Sequence, residues 1–486
     1  MTASPPAKVL SDQAFSRAAG AALVRGNRVR ILKDARENYP AWIEAIQCAR
    51  RGVNFECYII HDDDVGRRFA RVLIEKAREG VPVRLVYDWL GAAGAASRRF
   101  WRMLREGGVD VRCFNPPRLD EPFGWVRRNH RKSLVVDGRV AFVSGLCVGR
   151  RWEGWPERGQ PGWRDTGVEL SGPAVADVAR AFADAWAATG EPLPEAELPG
   201  PDGIPAAGDV AVRVVATTSG TAGLYRLDTL IAALARRTLW LTDAYYGGTS
   251  AYVQAMRAAA ADGVDVRLLV PGRGSDIAAM QAISRAGYRP LLEAGVRVFE
   301  WNGPMIHAKS AVADVQWARV GSTNLNIASW VGNWELDVVV EDTGFGRQME
   351  RMYLEDLENA TEVVLDRRQR VRPAGDAKVP RTRGTGGSAT RAAAGAVRIG
   401  NAIGSALTAR RLLGRAEARL MMQAGILLVA IATVSFLFPR ALAVPLGAFA
   451  LWMGLALLLR AARTRPVVKS PEARLEALRR ESSRAR

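Results

Sequence analysis

A chain of 486 residues has room for two or three domains with sizeable cores, and 48% hydrophobic with 24% charged residues is the composition of a folded protein, which excludes disorder throughout. The formal net charge of +18 invites a nucleic-acid or anionic-membrane reading, but residues 367–486 hold 23 Lys/Arg against 5 Asp/Glu, leaving 45 of each sign in residues 1–366. The body is neutral and the tail is the cation.

The N-terminus, "MTASPPAKVLSDQAFSRAAGAAL", lacks a charged segment followed by a long apolar run, so no cleaved signal peptide is expected. Helical stretches such as "GRRFARVLIEKAREG" alternate with short β-branched runs such as "VPVRLVY" and "VDVRLLV", the pattern of an α/β sheet with helices on its faces. Cys48, Cys57, Cys113 and Cys147 form no C-x-x-C pair and are expected as reduced thiols, not as a disulfide frame or zinc site. "KAREGVPVRLVYDW", "LREGGVDVRCFNPP" and "NHRKSLVVDGRVAFVSG" follow one another in the first half. "RAAAADGVDVRLLVPG", "LLEAGVRVFEWNGP" and "MIHAKSAVADVQWARVGSTN" repeat that order in the second. The chain is thus expected as two copies of one layered α/β unit, 20–175 and 207–366. Residues 176–206 are expected as the linker between them, a reading carried by the Pro- and Gly-rich stretch 191–209.

Beyond the second unit, 367–408 is rich in Arg, Gly and Pro and reads as a flexible cationic tether or a plain solvated linker. Within 409–465, Leu420 to Phe438 and Ala441 to Leu459 carry no charge and are separated only by Pro439 and Arg440. At about 1.5 Å per residue each run spans about 28 Å as a helix, close to the bilayer hydrocarbon thickness. A two-helix membrane hairpin is expected, crossing the bilayer or re-entrant. Arg410, Arg411, Arg415 and Arg419 precede it and Arg460, Arg463, Arg465 and Lys469 follow, which puts both flanks, the basic tail 466–486 and the body on the cytoplasmic side. The basic run suits an anionic membrane surface, where each cation contributes about 1 kcal/mol, and its place beside the hairpin favours lipid over nucleic acid.

The chemistry sits in two matching motifs. Asp-Gly between apolar runs in "SLVVDGRVAFVSG" signals a hairpin, and on a strand His130 and Lys132 share a face while Arg131 points to the other. His307 and Lys309 repeat that geometry, with Asp314 five residues after its lysine as Asp137 is in the first copy. The chain owns three histidines and spends two of them here. Two imidazoles beside two ammonium groups suit phosphoryl transfer without a metal. One neutral imidazole attacks phosphorus, the other protonates the leaving alcohol, and the lysines stabilise charge on the nonbridging oxygens. No cofactor is expected, and no cluster of metal ligands is evident.

These paired H-x-K-x4-D motifs, with "GSTN" at 321–324, resemble the phospholipase D superfamily. "RRNHRKSLVVDGRVAFVSG", "WRDTGVELSGPAV" and "NWELDVVVED" are similar to its bacterial cardiolipin synthase branch, over roughly residues 28–345. The resemblance implies two phospholipase D-like halves sharing one active site. It implies that His130, Lys132, Asp137, His307, Lys309 and Asp314 are catalytic, that Ser322 and Asn324 touch phosphate, and that Asp165 and Glu335 each accept a hydrogen bond from a histidine's second nitrogen, unless they serve a salt bridge or loop. Where the family commonly has Asn, the first copy has Cys147, a weaker donor. His61 is read as pocket wall or surface, and Tyr58, Tyr245 and Tyr246 as pocket lining or core. The expected substrate is phosphatidylglycerol or another phospholipid at the bacterial inner membrane, with cardiolipin as product. Water as acceptor would give phosphatidic acid instead. A nuclease of the same superfamily fits the neutral body and the hairpin poorly, and no nucleic-acid partner is expected.

Overall fold

The computed structural model describes residues 6–117, 127–366 and 371–374, with scattered positions between 426 and 458. The first half contributes β1 (Val24–Lys33), β2 (Val53–Cys57), β3 (Val83–Asp88), β4 (Asp110–Phe114), β5 (Lys132–Val136) and β6 (Val140–Ser144). A separate small pair, β7 (Gly154–Trp155) and β8 (Gln160–Pro161), precedes β9 (Thr166–Ser171). The second half contributes β10 (Val210–Thr217), β11 (Thr238–Thr242), β12 (Asp265–Pro271), β13 (Arg297–Trp301), β14 (Ser310–Ala313), β15 (Trp317–Gly321) and β16 (Glu335–Glu341), followed by β17 (Ala360–Leu365) and β18 (Val371–Pro373).

Sixteen of these strands form one sheet, joined at its centre where β1 pairs antiparallel with β10. Outward from that junction the first half runs β1-β9-β6-β5-β2-β3-β4 and the second β10-β16-β15-β14-β11-β12-β13, the same sequence of counterparts, with β17 and β18 added at the second edge. The repeat seen in the sequence is therefore a repeat of topology. In each half three neighbouring strands are parallel, β2-β3-β4 and β11-β12-β13, and parallel strands require long crossovers, which the helices supply.

The helix Asp64–Arg78 shows why the local sequence behaves so. It starts where Asp63 accepts the Gly66 N–H at 2.9 Å. Val65, Phe69, Val72 and Leu73 recur at helical spacing and are buried, and the chain breaks away at Gly80, whose φ is +86°. The strands bury both faces instead. Leu134 and Val136 enter a cluster with Trp42, Phe55 and Phe69, while Val135 points into a central cluster with Val168, Val212 and Ile306. Two buried faces explain the unbroken apolar run in "SLVV". Each such side chain contributes about 1.5–3 kcal/mol when removed from water.

That central cluster takes residues from both halves, so they are one packed body and not two beads on a linker. The stretch 176–206 is accordingly more than a spacer. Most of its first part lies in the helix Val175–Ala187, which buries Val175, Val178 and Ala181 in the same cluster, and helical turns at Glu195–Glu197 and Pro201–Gly203 follow. The tether expected over 367–408, the hairpin over 409–465 and the tail 466–486 fall almost entirely outside the described residues. Among the described residues no helix is long and apolar enough to cross a membrane.

Candidate active site

His130 sits just before β5 and His307 just before β14, and each is fixed by backbone from the opposite half. The His130 N–H donates to the Trp334 carbonyl at 2.9 Å, and the His307 N–H donates to the Arg164 carbonyl at 2.7 Å. The side chains cross over in the same way. His130 Nδ1 lies 2.9 Å from Oε2 of Glu335, and His307 Nδ1 lies 2.7 Å from Oδ2 of Asp165. All four residues are buried. This geometry assigns the proton to Nδ1 in each ring and leaves a lone pair on each Nε2.

The two carboxylates are themselves held. Asp165 accepts from the Thr166 N–H at 2.8 Å and from Trp152 Nε1 at 3.2 Å, and Gly145 packs so closely on it that a side chain there would overlap the carboxylate. Glu335 accepts from Ser322 Oγ at 2.6 Å and from Asn333 Nδ2 at 3.2 Å. Ser322 is thus committed to Glu335, so its hydroxyl supports the histidine's partner instead of standing free for phosphate. Asn324 donates weakly to Ser329 Oγ at 3.4 Å, and its Oδ1 is buried without a hydrogen-bond partner.

Both lysines are buried beside their histidines, and each Nζ donates to its own histidine's carbonyl oxygen. Lys309 Nζ also lies 3.0 Å from His307 Nε2. Burial and, secondarily, the Lys309 cation push the His307 imidazole down to about 3, and burial lowers His130 as well, despite Glu335. Burial brings Lys309 down to about 8. Each imidazole feels the lysine of the other half, and each is bonded to a carboxylate of that half, so the two motifs lie beside one another. In the free protein burial therefore favours the neutral form of both imidazoles.

This depression has a measurable consequence. Between about pH 3 and the ordinary value near 6.5 the unfolded chain binds a proton at residue 307 that the folded chain does not. The stability from His307 is complete above about pH 6.5 and is lost as pH falls. By that linkage the unfolding free energy should drop by roughly 2 kcal/mol between pH 7 and pH 5 from this group alone. Urea midpoints at the two pH values check it, since a His307→Gln chain should show a correspondingly weaker dependence.

Asp137 and Asp314, expected in the site, are not brought to it. They lie at the far ends of β5 and β14, about 16 Å of strand from the lysines. Asp137 occupies the β5–β6 turn at φ +55° and accepts the N–H groups of Arg50 (3.0 Å), Arg51 (2.7 Å) and Gly52 (3.0 Å). Asp314 does the same for Arg236, Arg237 and Thr238. Each aspartate ties its hairpin to the start of the neighbouring strand. An Asp137→Ala chain should keep its turnover while its unfolding free energy falls by about 1–3 kcal/mol, as urea denaturation would report. A loss of turnover without a loss of stability would return Asp137 to the chemistry.

His61 lies half-buried in a separate surface pocket with Asp63, Arg150, Arg151 and Trp155. Tyr246 is core. Tyr58 and Tyr245 stand edge-on to His130 and His307, with ring centroids at 4.8 and 5.8 Å, and each lies beneath its half's lysine. Sequence reasoning missed Glu56, Asp88 and Asp243. Glu56 accepts from Asn129 Nδ2 at 2.6 Å, Asp88 accepts the Asn129 N–H at 2.9 Å, and Asp243 accepts the Leu325 N–H at 2.8 Å. The available signal was a lone acid inside or ending an apolar strand run. It also missed Arg131, buried between the halves and donating to the carbonyls of Glu335, Ala181 and Thr217. Among the described residues no group of three or more His, Cys, Asp or Glu is placed to hold a metal ion.

Comparison with known proteins matches this arrangement to a family. The family described as cardiolipin synthase, phospholipase D-like domain, matches residues 42–151 and 230–357, one segment per half. Cardiolipin synthase A of Pseudomonas putida is 35% identical over 352 residues, covering 70% of each chain. Cardiolipin synthase A of Pseudomonas aeruginosa is 36% identical over 348 residues, covering 71% of this chain and 70% of the relative. In fold, the crystal structure of phosphatidylserine synthase from Haemophilus influenzae is similar with a TM-score of 0.56 at 13% identity, over 72% of this chain and 91% of that one. The mirrored halves, the two H-x-K strands each bonded to a carboxylate of the other half and this extent of identity have one meaning: the chain belongs to the cardiolipin synthase family of phospholipase D-like enzymes.

Proposed function

We propose that this enzyme is a phosphatidyltransferase that makes cardiolipin from two molecules of phosphatidylglycerol, without a metal. The reading rests above all on the reciprocal orientation of the two imidazoles, each held through Nδ1 by a carboxylate of the other half so that both Nε2 atoms serve one pocket with two buried lysines. In the first step one Nε2 attacks the phosphorus of phosphatidylglycerol, and the P–O bond to glycerol breaks. The other imidazole gives that oxygen its proton. In the second step a hydroxyl of another phosphatidylglycerol gives its proton back and attacks the phosphatidyl-histidine, releasing the first ring. His130, Lys132, His307 and Lys309 carry these roles, and the lysines hold the nonbridging oxygens. Asn324, with an unused buried oxygen and a weakly engaged amide, is the remaining polar contact for substrate.

A lipid substrate is favoured by the apolar side chains near the site. Leu90 lies two residues past the Asp88 that binds Asn129, Ile277 follows the Asp276 that accepts from Tyr245, and Ile327 follows the Asn326 that donates to the Tyr245 carbonyl. All three are exposed, at 42%, 43% and 60%. In this reading the hairpin of 409–465 anchors the enzyme in the bacterial inner membrane with the catalytic halves in the cytoplasm, and the basic stretch lies along the anionic leaflet.

Mass spectrometry of the lipids formed from phosphatidylglycerol by the detergent-purified protein in EDTA tests the proposal. Cardiolipin with glycerol is the expected result. Phosphatidic acid alone would make water the acceptor and the enzyme a phospholipase. No lipid product, together with salt-dependent DNA binding, would move it to the nucleases.

A further inference from the structure

The two halves are not equivalent around their lysines. In the first half Cys57 pairs with Lys132 across β2 and β5. In the second Thr242 pairs with Ser310 across β11 and β14, so the next residue, Asp243, stands opposite Lys309. Ser133 pairs with Val143 and Ser310 with Val320, which makes Cys147 and Asn324 counterparts, each four residues past the paired valine. The cell that holds Asp243 and Asn324 around one lysine therefore holds two thiols around the other. Both cysteines are 1% exposed and free, and they meet side chain to side chain. The Cys57 thiol is shared between Cys147 and the Ile59 carbonyl oxygen, 3.0 Å away, and Ile59 in turn accepts the Val148 N–H at 3.1 Å, which locks the two segments together.

We infer that Cys57 and Cys147 form an oxidation site, a dithiol at the floor of the active site that hydrogen peroxide converts to a disulfide, switching the enzyme off reversibly. Cys147 is the attacking thiol. Burial pushes it up, but the hydrogen bond from Cys57 and the cations of Lys132 and Lys309 outweigh burial and bring it below its ordinary value. Cys57, raised by burial, keeps its proton and resolves. The Cys147 thiolate attacks one peroxide oxygen, the O–O bond breaks, and water leaves once the other oxygen has taken a proton. The Cys57 sulfur then displaces a second water from the sulfenic acid, so two thiols are oxidised and one peroxide is reduced to two waters. A pocket that admits a phosphodiester admits peroxide, and the two thiols are already hydrogen-bonded neighbours in one core cluster. The bond fixes β2 against the loop after β6 and removes the Cys57 and Cys147 thiols from the surroundings of Lys132, altering the site on the side of His130. The exposed Cys48 and the partly buried Cys113, which lies beside Tyr87, are not part of it.

The experiment treats the full-length enzyme with hydrogen peroxide, alkylates remaining thiols after denaturation, and maps the peptides by mass spectrometry while following turnover. The expected product is a Cys57–Cys147 crosslink, lighter by about 2 Da than the two thiol peptides. Turnover should fall at least about tenfold and return with dithiothreitol. A Cys57→Ser enzyme should keep its basal turnover within about threefold and lose the reversible inactivation. Peptides in which both cysteines remain alkylatable after inactivation would overturn the inference, as would a Cys57→Ser enzyme inactivated and rescued like the parent. The mapping uses the parent chain and needs no activity, so it decides the matter even if the variant fails to fold or if the lipid substrate proves to be another.

Discussion

A His307→Ala chain should turn over at least about 10⁴-fold more slowly than the parent, and so should His130→Ala, with the double variant no worse than either. Non-additivity is expected because attack on phosphorus and protonation of the leaving oxygen belong to one event. The two variants should part company on a phosphodiester whose leaving group needs no proton, such as a nitrophenolate. The chain that lacks only the acid then recovers its first step, while the chain that lacks the nucleophile does not. This comparison identifies which ring is which, a choice that the near-symmetry of the two H-x-K strands conceals. Full turnover in either single variant would sink the two-histidine mechanism.

Arg164→Met should cost about 3–5 kcal/mol of unfolding free energy, the range for a buried ion pair broken on one side. Arg164 is buried and grips Asp356 with two bonds of 2.8 Å, joining the segment before β9 to the helix Thr343–Glu358 of the other half, and it reaches Asp34 at 3.2 Å. Its loss strands Asp356 with only a distant lysine, Lys33, at 3.9 Å. The cost should be partly recovered by adding Asp356→Leu, which removes the abandoned charge. Turnover should fall as well, because the Arg164 carbonyl holds the His307 backbone and the next residue holds its ring. An unchanged urea midpoint would show that the arginine is dispensable to the interior.

The layered fold and the meeting of two H-x-K strands were legible because period two fixes which side chains share a strand face, and because the chain shows its pattern twice. The reciprocal partnership was not. Glu335 lies 205 residues from His130 and Asp165 lies 142 residues from His307, and no local periodicity says that each acid serves the other half's ring. Asp137 misled for the opposite reason. It is near Lys132 in the chain, but a strand carries it steadily away, and an aspartate in a left-handed turn has a sufficient structural occupation in capping free N–H groups. Ser322 shows a third limit, since whether a hydroxyl faces substrate or a neighbouring carboxylate depends on packing by Asn333 and Leu336. The linker reading failed at the helix Val175–Ala187, whose small and aromatic residues are buried even though the Pro-rich segment follows close behind.

The exchange of orienting acids across the β1–β10 seam gives the single chain the internal architecture of a dimer of unlike copies. Neither unit supplies the carboxylate that holds its own histidine, so a change to an acid in one unit acts on the ring of the other. Substitutions at Glu335 and His130 should behave genetically as one locus, and a chain severed within 191–209 should regain activity only when both fragments are supplied together.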